Sequence, residues 1–203
     1  MKKKIAIIDI GLGNIFSLYN SLKINFKDIS IIKEMKNKCP YDLIIIPGVG
    51  TFKQAMQRIK LKFPFLINKN YKIKIIGICL GMHILYKKGY EEGACKGLGY
   101  LEGSVKRLEK KKLIIPNIGW RNIEVRKKKN IKFLNKYKNK SFYFCHSFHA
   151  VNKSKYLDLM FSNYDDNYIP SLVINKNIAG IQFHPEKSRD HGINLLKDII
   201  NNL

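Results

Sequence analysis

Short apolar runs alternate with amphipathic stretches through the first half of the chain. The runs Lys4–Asp9, Ile29–Lys33, Leu43–Ile46 and Ile73–Ile78 are rich in isoleucine, whose branched Cβ packs well on a pleated surface, and they predict strands. Between them, Ile15–Phe26, Thr51–Ile59 and Leu80–Lys87 read as helices. Strand and helix in alternation predict βαβ units, and unbroken apolar strands predict a parallel sheet covered on both faces. After Gly103 the texture turns β-rich, with strands expected at Ser104–Leu108, Leu113–Ile115, Phe142–Ser147, Tyr156–Ser162, Ile169–Ile174 and Ile178–Phe183. A helix over Arg189–Asn201 closes the chain.

The expected fold is therefore α/β, a three-layer sandwich with a mostly parallel central sheet plus a small antiparallel β portion. With 203 residues, 45% of them hydrophobic, the chain can bury one sizeable core and has little length for a second, so residues 1–203 are read as one domain. No apolar run approaches the roughly 18 residues that a membrane span needs. The basic start Met1–Lys4 leads into a short apolar stretch that runs into Asp9 without a cleavage site, so export is not expected. Cys39, Cys79, Cys95 and Cys145 lie far apart and form no C-x-x-C pair, which fits a reducing cytoplasm better than a disulfide framework.

The formal charge of +23 would attract anions of any kind and identifies none of them. Lysine, isoleucine and asparagine are abundant throughout, as a compositional bias would make them. Basic runs such as Lys110–Lys112 and Arg126–Lys129 fall between apolar segments, where turns and solvated edges belong. The basic residues are not gathered with aromatics into an RNA-binding motif, and no nucleic-acid partner is expected.

The strongest chemical signal is Gly77-Ile78-Cys79-Leu80-Gly81-Met82, where a strand meets a helix through a tight turn. Such a nucleophile elbow thrusts its central side chain outward, and glycines two before and two after let neighbouring backbone approach. A cysteine there faces the positive end of the following helix, and the Leu80 N–H is placed to donate to an oxyanion. A buried structural cysteine beside packing glycines is the plainer alternative. Of the five histidines, His184 is best placed as a base, since it ends the apolar strand in Gln182-Phe183-His184-Pro185-Glu186. Glu186 can orient its imidazole and stabilise the cation. A second glycine-rich turn, Pro47-Gly48-Val49-Gly50, also follows a strand and is read as a further oxyanion donor rather than a phosphate loop, since no G-x-x-x-x-G-K-[ST] is present. His146 and His149 lie on one β-type run and point to opposite faces by their spacing. They find no third ligand, and neither metal nor cofactor is expected. His191 is expected to face solvent.

Taken together, the elbow around Cys79, the Pro47–Gly50 loop and the His184–Glu186 turn resemble the class I (triad) glutamine amidotransferases, in the family's order and over nearly the whole chain. Further stretches, Asp9–Asn14, Gly97-Leu98-Gly99, Gly119-Trp120, Tyr143–Phe148 and Gln182–Ser188, look like the glutaminase subunits of imidazole glycerol phosphate synthase. The resemblance implies a Cys79–His184–Glu186 triad that hydrolyses L-glutamine, with Gly48, Val49, Gly50, Leu80 and His83 around substrate and oxyanion. It also implies a heterodimer with a (β/α)8-barrel cyclase that receives the ammonia, with Asn14, Trp120, Tyr143 and Lys187 at the interface. Taken alone, Asn14 reads equally as a helix cap, Trp120 as a core anchor, Tyr143 as a sheet aromatic and Lys187 as a surface lysine. The chain departs from the family pattern at His83, where glutamine is usual, and at Asn117 and Arg121, where histidine and asparagine are usual. The latter two are assigned to the partner side. Two alternatives accompany this expectation: the same chemistry serving a sugar amidotransferase of surface-polysaccharide synthesis, and a non-catalytic basic binding module.

Overall fold

The computed structural model describes residues 3–36, 39–68, 73–109, 114–125, 131–152, 158–165 and 167–203. In chain order the elements are β1 (Ile5–Ile8), α1 (Ile15–Lys23), β2 (Ile29–Ile32), β3 (Leu43–Ile46), α2 (Phe52–Lys62), β4 (Lys74–Ile78), α3 (Leu80–Leu85), β5 (Tyr86–Gly89) and β6 (Cys95–Lys96). There follow β7 (Leu101–Arg107), β8 (Asn117–Asn122), β9 (Glu124–Val125), β10 (Ser141–His146), β11 (Phe148–Asn152), β12 (Asp158–Tyr164), β13 (Asn167–Asn175), β14 (Ile178–Ile181) and α4 (Arg189–Asn202). Short 3-10 turns occupy Pro64–Ile67, Lys132–Tyr137 and Pro185–Lys187.

The central sheet runs in the order β2-β1-β3-β4-β14-β13-β12-β9. Its first five strands pair in parallel, and β13, β12 and β9 extend it antiparallel. Alternation along the strands divides the core. Ile5, Ile7, Leu43, Ile45, Ile76 and Ile78 face one side, where α1 and α4 supply Leu18, Leu22, Leu195 and Ile199. Ala6, Ile8, Ile44, Ile46 and Ile75 face the other, packed with Phe52, Met56 and Ile59 of α2 and with α3. Each such buried isoleucine or leucine contributes about 1.5–3 kcal/mol relative to an exposed one, and it is burial on both faces that makes the strand sequences apolar throughout.

Local signals account for most boundaries. Asn14 caps α1 by accepting the Ser17 N–H at 3.3 Å, and Thr51 caps α2 by accepting that of Gln54 at 3.4 Å. One expected helix is shorter than its sequence suggests: α3 stops at Leu85, and Tyr86–Gly89 is a strand instead. The lysines there have adequate helix propensity, but β5 gains ladder partners in β6 and β7, and Gly89 lies flush against the Phe52 ring. The run Phe142–His149 likewise splits at Ser147, with β10 pairing to β8 and β11 to β7, so His146 and His149 sit in different sheets rather than on opposite faces of one strand. Of the expected strand Leu113–Ile115, Leu113 lies outside the described residues, and Ile114 and Ile115 are irregular. Tyr156 and the following residue of another expected strand are outside them too, as are Lys110–Lys112 and Arg126–Lys129. Among the described residues, no helix is long and apolar enough to cross a membrane.

The parallel strands end toward one edge, where the β3, β4 and β14 termini bring the loops after Ile46, Ile78 and Ile181 side by side. That edge is where open α/β sheets place ligands.

Candidate active site

Cys79 occupies the turn between β4 and α3 with φ 53° and ψ −109°, a left-handed conformation rare for a residue with a Cβ. The flanking glycines are required by contact. A Cβ on Gly77 would lie 2.4 Å from the Gly81 carbonyl oxygen, and one on Gly81 would lie 1.7 Å from the Ile46 carbonyl oxygen. The Cys79 N–H donates to the Ile181 carbonyl at 2.7 Å, which ties the elbow to β14. Its thiol faces the Cys145 carbonyl, with Sγ and oxygen 3.7 Å apart.

His184 follows β14 by three residues, since the strand ends at Ile181 rather than running to Phe183. The His184 N–H donates to the Tyr143 carbonyl at 2.9 Å, and Ser188 clamps the turn from below. The Ser188 hydroxyl donates to the His184 carbonyl at 2.6 Å and accepts the Tyr143 N–H at 2.9 Å. Imidazole Nδ1 lies 2.9 Å from Glu186 Oε1, so the ring donates to the carboxylate and leaves Nε2 as the free base. Nε2 is buried and makes no well-aligned hydrogen bond in this resting geometry. Burial would lower the pKa of His184. The negative charge of Cys79 and contact with it, reinforced by the Glu186 hydrogen bond, outweigh burial and raise it above the ordinary histidine value. The thiol, imidazole and carboxylate thus form one coupled unit, with the arrangement needed to remove a proton from sulfur and hold it.

A cavity of about 270 Å³ opens over the thiol, lined in part by Val49, Gly50, Leu80, His83, Glu91 and His146. Leu80 opens α3, where a backbone N–H has no partner within the helix. In the Pro47–Gly50 loop, the Val49 N–H is turned instead to the Leu12 carbonyl, at a long 3.4 Å, so the expected second donor points away from the cavity in this conformation. Gly50, at φ 114°, supplies the freedom such a loop needs to turn a peptide.

His83 lines the cavity, and its Nε2 lies 2.8 Å from Gln182 Oε1. Because an amide oxygen only accepts, the imidazole donates. Gln182 then directs its NH2 toward Cys79 Sγ, at 4.0 Å. Burial lowers the His83 pKa to about 4, against the Gln182 hydrogen bond, so the ring is neutral near pH 7.

The expected interface residues gather in part. Trp120 stands edge-on to Tyr143 with centroids 6.1 Å apart, the Lys187 ammonium lies 5.6 Å from the Tyr143 ring and the Arg189 guanidinium 5.0 Å from Trp120. Ile118 and Trp120, both exposed, present the same face of β8. Asn14 serves as the α1 cap, and it also borders a recess shared with His184, Glu186 and Val49. Asn117, expected on the partner side, is fully buried, because it hydrogen-bonds His146 inside the cavity wall. His191, expected to face solvent, is partly buried: its ring packs edge-on to Phe142 with centroids 4.9 Å apart and its Nε2 donates to the Ser141 carbonyl at 2.6 Å.

The model for glutamine amidotransferase class-I matches residues 7–203. The chain belongs to the class I glutamine amidotransferase family. Among curated relatives of this amidotransferase, the imidazole glycerol phosphate synthase subunit HisH of Oceanobacillus iheyensis is 40% identical, covering 95% of this chain and 96% of the relative. The subunit of the same name from Thermotoga maritima is 35% identical, with 97% and 96% covered. Among solved structures, a glutamine amidotransferase superposes with a TM-score of 0.71 at 16% identity, covering 98% of this chain and 97% of the other, and PurLQS from Thermotoga maritima with 0.69 at 19%, covering 100% and 99%. At that identity these structures speak to the fold, a mixed α/β architecture with a large, mostly parallel sheet.

Sequence reasoning missed two residues that line the cavity and one buried beside its thiol. Glu91 is the one carboxylate among the described residues lining the cavity; burial raises its pKa, and its Oε2 accepts the Phe52 N–H at 2.8 Å. Gln182 and His146 enter the sequence reading only within motif stretches and, for His146, as a metal-ligand candidate. An odd glutamate in a loop carries no local signal, whereas a glutamine in an otherwise apolar run beside the His184 turn does, because a fully buried carboxamide requires partners.

Two outcomes test this geometry. Gly81→Ala in the amidotransferase is expected to destabilise it by about 3 kcal/mol, the upper end for overpacking, because its new methyl meets a backbone carbonyl that cannot rotate away. A urea unfolding midpoint within error of wild type would contradict that contact. His83 titrates at about 4 in the fold and near 6.5 unfolded, so on acidification the unfolded chain binds this proton first and stability falls through that window. His83→Gln should flatten the fall by roughly 1.4 kcal/mol per pH unit, read as the difference between the two proteins' unfolding free energies between about pH 6 and 5.

Proposed function

We propose that residues 1–203 act as one glutaminase domain, the ammonia-producing subunit of an imidazole glycerol phosphate synthase in histidine biosynthesis. The observation that carries this is the buried Cys79–His184–Glu186 unit at the strand ends, in a chain aligned along nearly its whole length with subunits of that name.

In this mechanism L-glutamine enters the cavity with its α-ammonium toward Glu91 and its carboxamide over Cys79. His184 Nε2 takes the thiol proton as Sγ attacks the carboxamide carbon, and the Glu186 hydrogen bond at Nδ1 holds the resulting imidazolium. Charge developing on the carboxamide oxygen is met by the Leu80 N–H. The Pro47–Gly50 loop adds a donor once the Val49 peptide leaves the Leu12 carbonyl, an exchange made easy by the 3.4 Å length of that bond. His184 returns its proton to the departing nitrogen, releasing ammonia and leaving a thioester at Cys79. Water, deprotonated by His184, then frees glutamate and the thiol. His83 contributes by holding Gln182 beneath the sulfur, and needs no protonation change to do so.

The ammonia is consumed by a (β/α)8-barrel cyclase bound as a heterodimer over the face carrying Asn14, Trp120, Tyr143 and Lys187. Exposed Ile118 and Trp120, flanked by Lys187 and Arg189, form the mixed apolar and cationic surface that such an interface uses. The names of the relatives favour this client over a sugar amidotransferase, and the family's chemistry over a non-catalytic basic module. With four free cysteines, a cytoplasmic setting suits the protein.

Glutamate release measured with and without the cyclase and its nucleotide substrate tests the assignment. The complex is expected to turn glutamine over and incorporate the ammonia, with a loss of about 10³-fold or more in Cys79→Ala and His184→Ala and a smaller loss in Glu186→Gln. Wild-type turnover that survives Cys79→Ala would remove the thiol from the mechanism, and absence of stimulation by the cyclase would assign the ammonia to another client.

A further inference from the structure

Three imidazoles stand around the Cys79 cavity, and the proposed chemistry draws on the proton affinity of one. His146 has no task in it. This histidine lines the cavity beside Cys145 and is 6% exposed, with both ring nitrogens engaged: Nδ1 lies 2.8 Å from the Phe148 carbonyl oxygen and Nε2 lies 3.1 Å from Asn117 Nδ2. The other amide atom of Asn117, Oδ1, accepts the Arg121 Nε–H at 2.9 Å. Arg121 is itself held, donating from Nη1 to the Trp120 carbonyl at 2.9 Å and from Nη2 to the Ile118 carbonyl at 3.2 Å, with its guanidinium 4.7 Å from the Tyr164 ring.

One fact orients this whole chain: a guanidinium has donors only. Asn117 must therefore turn its oxygen to Arg121 and its NH2 to His146. Nε2 of His146 must then accept, which requires a lone pair there. The proton is left on Nδ1, where the Phe148 carbonyl, an acceptor only, demands it. The opposite tautomer would set N–H against N–H at Asn117 and lone pair against lone pair at Phe148, and the imidazolium would repeat the first clash.

We propose that Arg121 and Asn117 are positioning residues that lock His146 as a neutral, Nδ1-protonated imidazole and thereby keep it out of proton transfer, leaving His184 as the single base for the Cys79 thiol. The proposal rests on the glutaminase chemistry assigned to Cys79. Burial, together with His83 on α3, His149 on β11 and the imidazole of His184, drives the pKa of His146 to about 3, against the pull of the Phe148 carbonyl. Arg121 on β8 adds a positive charge through Asn117, and Glu91 across the cavity adds a negative one. A proton on His146 would also go to a ring without a carboxylate to hold it, unlike His184 with Glu186.

The test uses the full-length chain labelled with ¹⁵N-histidine, the His146 signals being assigned by their loss in His146→Gln. Wild type is expected to show a protonated Nδ1, a lone-pair Nε2 and no titration between roughly pH 5 and 9, a window that an ordinary histidine crosses. Asn117→Asp replaces the NH2 by a second acceptor. It is expected to move the proton to Nε2, bring His146 into titration near neutrality and add an ionisation to the pH profile of kcat for glutamine turnover. An Nε2-protonated or titrating His146 in wild type overturns the lock, as does an Asn117→Asp protein whose spectrum and pH profile match wild type. If Asn117→Asp does not fold, the wild-type tautomer still decides. A wild type without glutaminase turnover even in complex with the cyclase and its nucleotide substrate would overturn the glutaminase assignment instead, while the tautomer continues to report on the lock alone.

Discussion

The contact between Gly81 and the Ile46 carbonyl is the tightest constraint around which this molecule is arranged. A methyl group cannot be placed there, so the first turn of α3 lies directly on the end of β3, and the preceding residue pair must bend sharply out of β4. Cys79 absorbs that bend in a left-handed conformation that costs on the order of 1–3 kcal/mol and persists because the surrounding structure over-determines it. Its N–H is held by β14, the Gly77 backbone is pressed against Gly81, and α3 is fully buried. The outcome is a thiol that projects from the sheet edge at the start of a helix, whose backbone donors are left over by helix geometry itself.

Because β14 lies next to β4, whatever follows Ile181 arrives beside that thiol. The turn carrying His184 and Glu186 is then fixed by the Tyr143 carbonyl and the Ser188 hydroxyl, independently of the His184–Glu186 hydrogen bond. Electrostatics differentiates the three histidines that result. His184 keeps a high proton affinity because the Cys79 sulfur and the Glu186 carboxylate flank it. His83 and His146 are buried among neutral hydrogen-bond partners and other imidazoles and are neutral near pH 7. Identical side chains around one thiol therefore divide into one of raised and two of lowered proton affinity, according to whether the neighbour is an anion or an amide.

Much of this was legible in the sequence. Isoleucine-rich runs marked β1 to β4 within one or two residues, the glycine spacing marked the elbow, and a carboxylate two residues beyond a histidine marked the pair that hydrogen-bonds. These signals are local: they follow from steric requirements at a turn and from side chains close along the chain. The end of α3, the splitting of Phe142–His149 between two sheets, the burial of Asn117 and the packing of His191 on Phe142 were not legible, because each depends on a partner strand or ring far away in the chain.

The sequence by itself determined the identities that chemistry requires, namely a cysteine between two glycines, a histidine followed by its carboxylate, and strands apolar on both faces. Only the tertiary structure decided which histidines are buried and neutral, which way the Val49 peptide points, and that Glu91 and His146 line the cavity over the thiol while Gln182 turns its NH2 toward the sulfur. The reason is that proton affinity and hydrogen-bond direction are properties of an environment. An imidazole carries no preference of its own near neutral pH until burial, a neighbouring charge or a donor-only guanidinium two links away imposes one.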